Sequence, residues 1–243
     1  MERLLCGALI TLGLLTVWQV IVWITQAPHF ILPSPVRVAL VLWQRWDLIL
    51  EHAQVTLIEI LLGMLLGCLS GFLCAILLQA VKSIRLWLLP ILVVSQAIPV
   101  FALAPVLMVW FGYGMLSKVI MASLVIFFPV ASACYDGLRQ TPSAWLELAH
   151  TMQASTWRQL WHIRLPAALP ALASGLRVAA SIAPIGAVVG EWVGSSAGLG
   201  YMMLQANGRM QTDLMFACLF VLAAMAVTLY FVLDALLKRW IRW

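Results

Sequence analysis

Between Glu147 and Pro166 the chain reads ELAHTMQASTWRQLWHIRLP, the most polar run in the interior of an otherwise greasy sequence. It carries charges of both signs and lies between two segments apolar enough for lipid. Its pattern predicts two short helices, broken near Ala154–Ser155 and stopped at Leu165–Pro166. A polar helical hairpin held against one side of a membrane is suited to docking a soluble partner. Further charges fall inside apolar runs, among them Glu59, Arg177 and Glu191. Glu59 reads first as a carboxylate at headgroup level, and second as a polar group on an internal pathway. Arg177 and Glu191 are fourteen residues apart, about 21 Å along a helix, so they cannot pair within it. A charge in a crossing helix normally faces a cavity or a partner, because lipid exposure costs about 2.5–3.5 kcal/mol. For Arg177 the alternative is snorkelling to the headgroups, and for Glu191 a place at the outer interface.

Other reactive side chains do not converge. His29, His52, His150 and His162 fall in loops or at interfaces without ligand spacing, and the expectation is no bound metal. The five cysteines (Cys6, Cys68, Cys74, Cys134, Cys218) are scattered through apolar runs as small buried hydrophobes. No G-x-x-x-x-G-K-[ST] phosphate cradle, H-E-x-x-H zinc helix or G-x-S-x-G elbow occurs, so no catalytic residues are assigned and no enzyme activity is expected. Gly194-Ser-Ser-Ala-Gly198-Leu-Gly200 lacks the preceding strand of a phosphate loop and reads as a flexible turn.

The elements that position these residues follow from composition. With 64% hydrophobic and 9% charged residues over 243, the chain departs far from soluble domains, which carry roughly 25% charge. It reads as a single all-α polytopic membrane domain over residues 1–243, with about six crossings of roughly 20 apolar residues each. Helix 1 is expected over Leu4–Thr25, followed by a proline elbow at Ile31–Pro35 and an interfacial helix over Val36–Leu50 with tryptophans at headgroup level. Helix 2 runs from Val55 to Val81. Its Gly63, Gly67 and Gly71 stack on one face and let a neighbouring backbone approach. Helix 3, Leu86–Trp110, contains Pro90, Pro99 and Pro105 and is expected to be kinked or partly unwound. A turn at Phe111–Gly114 leads to helix 4, Leu116–Cys134, ending before Tyr135-Asp136-Gly137. The hairpin occupies about 142–166, helix 5 Pro170–Val193, a loop Gly194–Asp213 and helix 6 Leu214–Leu237.

Six crossings put both termini on one side. Nine Lys and Arg then share that side with the hairpin (3, 82, 85, 139, 158, 164, 238, 239 and 242), against four opposite (37, 45, 118 and 209). Excess positive charge marks the cytoplasmic face, so the hairpin and both termini are expected there. The net charge of +5 is absorbed by this topology, and no nucleic-acid partner is implied.

The hairpin resembles the EAA motif of bacterial ABC importer permeases. Glu147-Leu148-Ala149 takes the E-A-A place, Gln153-Ala154 the turn where the family usually has glycine, and Ile163-Arg164-Leu165-Pro166 the closing element. Ile31–Pro35, Ile98-Pro99, Leu103-Ala-Pro105, Trp110–Gly114, Phe127-Phe-Pro129 and Gly198-Leu-Gly200 are similar to segments of the sulfonate, taurine, nitrate and thiamine-pyrimidine-precursor group. Gly190–Tyr201 leans towards the pyrimidine-precursor permeases. The resemblance implies ATPase coupling through Glu147, Leu148, Ala149, Gln153, Ala154, Leu165 and Pro166. It also implies cytoplasmic ABC ATPase subunits that hold ATP-Mg, no cofactor on this chain, a second permease copy as a homodimer and an extracytoplasmic substrate-binding protein. The setting implied is the bacterial inner membrane and its lipid. Gln96, Pro99, Arg177 and Glu191 are then candidates for lining or gating the path. The solute would be a hydroxymethylpyrimidine-like thiamine precursor, or else a sulfonate, taurine or nitrate. Rival readings are an ion-gradient-coupled carrier, an energy-coupling-factor scaffold and a membrane enzyme. They lack, respectively, midplane carboxylates with an internal repeat, basic coupling motifs and a convergent polar constellation.

Overall fold

The computed structural model describes residues 2–240, and every regular element in that range is helical. Arg242, counted in the charge balance, lies outside the described residues, as do the side chains of Arg3, Cys6 and Lys82. In chain order the elements are α1 (Glu2–Thr25), α2 (Pro35–Gln44), α3 (Trp46–Ala80), α4 (Lys82–Ser95), α5 (Val100–Phe111) and α6 (Met115–Arg139). Then come α7 (Ser143–Thr151), α8 (Thr156–Gln159), a π-helical turn (Leu160–Arg164), α9 (Leu165–Gly194), α10 (Leu199–Gly208) and α11 (Thr212–Trp240). By length and composition four stretches can cross a membrane: α3, α6, the run Thr156–Gly194, and α11. The bent pair α4–α5 makes a fifth if taken as one span, and the described apolar part of α1 is the shorter Leu12–Thr25.

Helix α6 is the centre, packed between α3 and α9. Small residues permit this on both of its sides. A Cβ at Gly67 would lie 2.8 Å from the Ser123 carbonyl oxygen, and one at Gly71 would lie 2.7 Å from that of Phe127. At Gly63 it would overlap Ala122. On the other side a Cβ at Gly175 would meet the Pro129 carbonyl at 2.8 Å, and Ala179, Ala183 and Ala187 are buried in the same seam. Lipid offers no hydrophobic drive for helix association, so close backbone approach and dispersion must hold this triplet together.

Several element boundaries differ from those the sequence suggests, each for a physical reason. The interfacial helix expected over Val36–Leu50 is broken at Arg45, and its second half joins α3, which therefore begins at Trp46 rather than Val55. Ser34 caps α2 by accepting from the Arg37 amide at 3.3 Å, with Pro35 at the first helical position. The proline-bearing helix 3 is two helices meeting at 103° across Gln96–Pro99. Pro99 disfavours helix at Ile98 and starts α5, while Pro90 and Pro105 are accommodated inside their helices. Helix α6 runs through Tyr135-Asp136-Gly137 to Arg139, because Gly137 serves as the contact point for Ala168 and Ala171 of α9. The expected loop Gly194–Asp213 contains α10, whose Leu199, Met202 and Ala206 recur at helical spacing. They pack in a core with Val38, Ile49, Leu214 and Ala217.

Pro166 does not stop the chain either. Its ring would press on the carbonyl of His162 in a regular α-helix. The preceding turn widens to π geometry, with the Leu165 amide donating to the Leu160 carbonyl, and the helix continues. Thr156 to Gly194 is thus one helical run of 39 residues, joining the hairpin to the opposite end of the molecule.

Candidate functional site

The hairpin is built by a helix C-terminal motif. After α7, Gln153 adopts a left-handed conformation (φ +55°). Its amide donates to the His150 carbonyl and that of Ala154 to the Ala149 carbonyl, both at 2.9 Å. This double closure normally uses glycine at the left-handed position, since a Cβ there is strained. The Ala154 carbonyl accepts from Gln159 Nε2 at 2.9 Å, and Ser155 caps α8 by accepting from the Arg158 amide. Gln153→Gly should therefore stabilise the turn by about 1 kcal/mol. A raised Tm of the detergent-solubilised chain would show it, whereas a lowered Tm would mean the glutamine side chain does more than tolerate the turn.

Of the motif residues, Ala149 is buried (5% exposed) and anchors α7, while Glu147 is exposed and Leu148 is 63% exposed. Leu165 and Pro166 are half-buried. Leu148 and Pro166 meet in one apolar cleft of about 510 Å³ with Trp145, His162, Ile163, Ala167 and Pro170. Trp145, Leu148 and Met152, the last 75% exposed, form a stripe at i, i+3 and i+7 on α7. Trp157 and Trp161 meet edge to face at 5.6 Å. The aromatic and Met152 contributions were legible as helical spacing once α7 and α8 were placed, but the polar motif drew attention past them. Arg164 Nη1 donates to the Leu138 carbonyl at 3.2 Å, fastening the π turn to the end of α6.

At the opposite end the isolated charges acquire partners. Glu59, expected at headgroup level, is fully buried and faces Lys118 of α6 at 3.0 Å. Lys118, counted on the side opposite the hairpin, is itself buried in α6 and donates to Ser195 Oγ at 2.6 Å. Glu191 is also fully buried. It accepts from Thr56 Oγ1 at 2.6 Å and from the amides of Gly200 and Tyr201. Those amides open α10, whose N-cap Gly198 has no side chain, so a distant carboxylate does the capping. Gly198 sits at φ +109°, and a Cβ there would overlap the Glu191 carboxyl. Thr56 Oγ1 also accepts from the Leu199 amide at 2.8 Å, and His52 Nδ1 accepts from the Gly198 amide at 3.0 Å. His52, expected in a loop or at an interface, is thus part of this network. Glu59 and Glu191 are neighbouring buried carboxyls, and Lys118 is the one ammonium paired with either among the described residues.

Arg177 pairs with Asp234 of α11 at 2.7 Å, and Lys238 reaches the other oxygen of Asp234 at 2.6 Å. Asp234 escaped the sequence reading because it lies close to the basic end of its helix. Gln96 and Pro99 are exposed at the α4–α5 bend. The four residues expected along a path are therefore in three places: the bend, the α9–α11 ion pair and the buried polar network.

The family described as "Binding-protein-dependent transport system inner membrane component" matches residues 60–242. The chain is 58% identical to a "Probable ABC transporter permease protein" of Haemophilus influenzae over 98% of each. It is 38% identical to the "Riboflavin transport system permease protein RibX" of Chloroflexus aurantiacus, over 98% of this chain and 90% of that one. Identity is 35% to the "Formylaminopyrimidine transport permease protein ThiX" of Halalkalibacterium halodurans, over 89% and 86%. In fold it is similar to the MetNI methionine ABC transporter in an inward-facing conformation, with TM-score 0.71, 19% identity and coverage of 81% of this chain and 97% of that chain. With these matches and a hairpin that presents an apolar stripe beside a multi-span helical bundle, the chain belongs to the family of binding-protein-dependent inner membrane components and is a permease subunit of an ABC importer.

Proposed function

We propose that this permease imports a small nitrogen heterocycle of the thiamine-pyrimidine-precursor kind, driven by ATPase subunits that dock on its hairpin. The observation that carries the substrate class is the 35% identity, over 89% of the chain, to a permease named for formylaminopyrimidine. The charge balance of nine against four supports a cytoplasmic hairpin and cytoplasmic termini. ATP and Mg²⁺ would be held by the ATPase and not by this chain. A second permease copy would complete the pore, and a loaded binding protein would dock at the end bearing α2 and α10.

The geometry supplies a route for coupling. An apolar stripe such as Trp145, Leu148 and Met152 suits a groove on the partner. Ala149 and the bond from Arg164 to Leu138 tie α7 and the π turn to the bundle, so displacement of the hairpin moves α9. Helix α9 spans 30 residues, about 45 Å, and ends at the network holding residues 195–201. Rigid-body tilting of this rod against α6 would open one end as it closes the other.

The test is ATP hydrolysis by the reconstituted permease–ATPase complex with binding protein loaded with formylaminopyrimidine or hydroxymethylpyrimidine, riboflavin, or an alkanesulfonate. Stimulation by a pyrimidine-loaded protein is expected. Stimulation by riboflavin or sulfonate alone would overturn the substrate class while leaving the permease assignment in place.

A further inference from the structure

The segment Ser195–Tyr201 is a strap between α9 and α10 whose polar groups are held by side chains from three helices. Ser195 is held by Lys118 of α6, Gly198 by His52 and Leu199 by Thr56 of α3, and Gly200 and Tyr201 by Glu191 of α9. Lys118 and Thr56 tie Ser195 and Leu199 through an ammonium donor and a hydroxyl, and the Glu191 carboxyl receives the two amides of Gly200 and Tyr201. The fifth differs. A backbone N–H can only donate, so His52 Nδ1 must present a lone pair to Gly198. Protonation of that nitrogen replaces the lone pair with a second N–H. Donor then faces donor at the centre of the strap, with the Gly198 amide left unpaired.

We propose that the strap is an acid-released latch at this end of the permease: protonation of His52 frees Gly198 from α3 and loosens the start of α10. Several other ionisable groups surround His52. On its own helix stand Glu51, exposed, and Glu59, which is taken up by Lys118. From α6 comes Lys118, from α9 Glu191, and from α10 Tyr201, whose ring lies 6.1 Å from the imidazole. Arg37 of α2 and Asp213 of α11 are engaged with each other. His52 is half-buried, so protons reach it without unfolding the bundle. Histidine is also the side chain that changes charge between about pH 5 and 8. The latch is independent of the substrate proposed above and of ATPase docking.

The sign is fixed by the hydrogen bond. The latched state needs the unprotonated ring, so it is favoured at high pH and lost as pH falls. The test uses the full-length chain in lipid nanodiscs, with all five cysteines replaced by alanine and a nitroxide attached through Ser196→Cys, an exposed strap position. The label is attached once at neutral pH, and its electron paramagnetic resonance spectrum is followed from pH 8 to 5. A several-fold rise in the mobile component is expected on acidification. His52→Gln, whose side-chain carbonyl can still accept, should stay immobile throughout, and His52→Ala should be mobile throughout. A spectrum that does not change with pH would overturn the proposal. So would a transition that persists in His52→Gln, which would instead assign the titration to the Glu59–Glu191 pair.

Discussion

Replacing Lys118 with methionine is expected to destabilise the folded chain by about 3–5 kcal/mol, the cost of removing one partner from a buried ion pair. The magnitude follows from what remains. Glu59 is fully buried, Lys118 supplies its one ion-pair contact among the described residues, and Glu191 is a second buried carboxyl nearby. Ser195 would lose its ammonium donor at the same time, loosening the strap. Methionine keeps the volume and the packing against Gly190, so the loss is electrostatic rather than a cavity. The double change Lys118→Met with Glu59→Gln removes both charges, and should recover most of the stability. Thermal or denaturant unfolding of the solubilised chain separates these cases. A single mutant within about 1 kcal/mol of wild type, or a double mutant no better than the single, would mean the pair does not hold α3 to α6.

The second large effect is functional. Glu147 lies on the exposed face of α7, one residue from the stripe residue Leu148 and two from the buried anchor Ala149. Reversing its charge with Glu147→Lys leaves core packing, and hence insertion and Tm, unchanged. If its carboxylate is paired in the docked complex, ATPase binding should weaken by about 2–5 kcal/mol, at least about 30-fold. Co-purification with the ATPase reads this directly. Normal recovery of the ATPase with Glu147→Lys, at unchanged Tm, would remove Glu147 from the docking surface.

What the sequence made legible is what local pattern governs. Residues Gly63, Gly67 and Gly71 repeat every four positions, so their shared face could be read before any neighbour was known. Likewise Pro90, Pro99 and Pro105 marked their stretch as kinked or partly unwound, though not which of the three would break it. The hairpin break expected near Ala154–Ser155 falls within the polar run, where Ser155 caps α8. Pairings across the fold were not legible. Glu59 and Lys118 lie 59 positions apart, and only the stacking of α3 on α6 makes an acid expected at headgroup level and a lysine near the start of helix 4 into a buried pair. Helix α10 was hidden because Gly194, Gly198, Gly200 and Gly208 look like a loop. Its Leu199, Met202 and Ala206 face becomes meaningful only once Glu191 caps the first turn. Pro166 misled in the opposite direction. Proline is a helix stop by local rule, but a π turn tied down by Arg164 absorbs it. Gln153 shows the same tension, a non-glycine residue held left-handed by two backbone bonds.

The most direct measurement is a photo-crosslink from Met152, the exposed tip of α7, in the assembled permease–ATPase complex. A photoreactive residue placed there should yield a covalent adduct with the ATPase, and, if the hairpin moves with ATPase closure as proposed, its abundance should change when ATP is added. Adducts with lipid alone, while the ATPase still co-purifies, would contradict the hairpin as the point where ATP hydrolysis is passed to the pore.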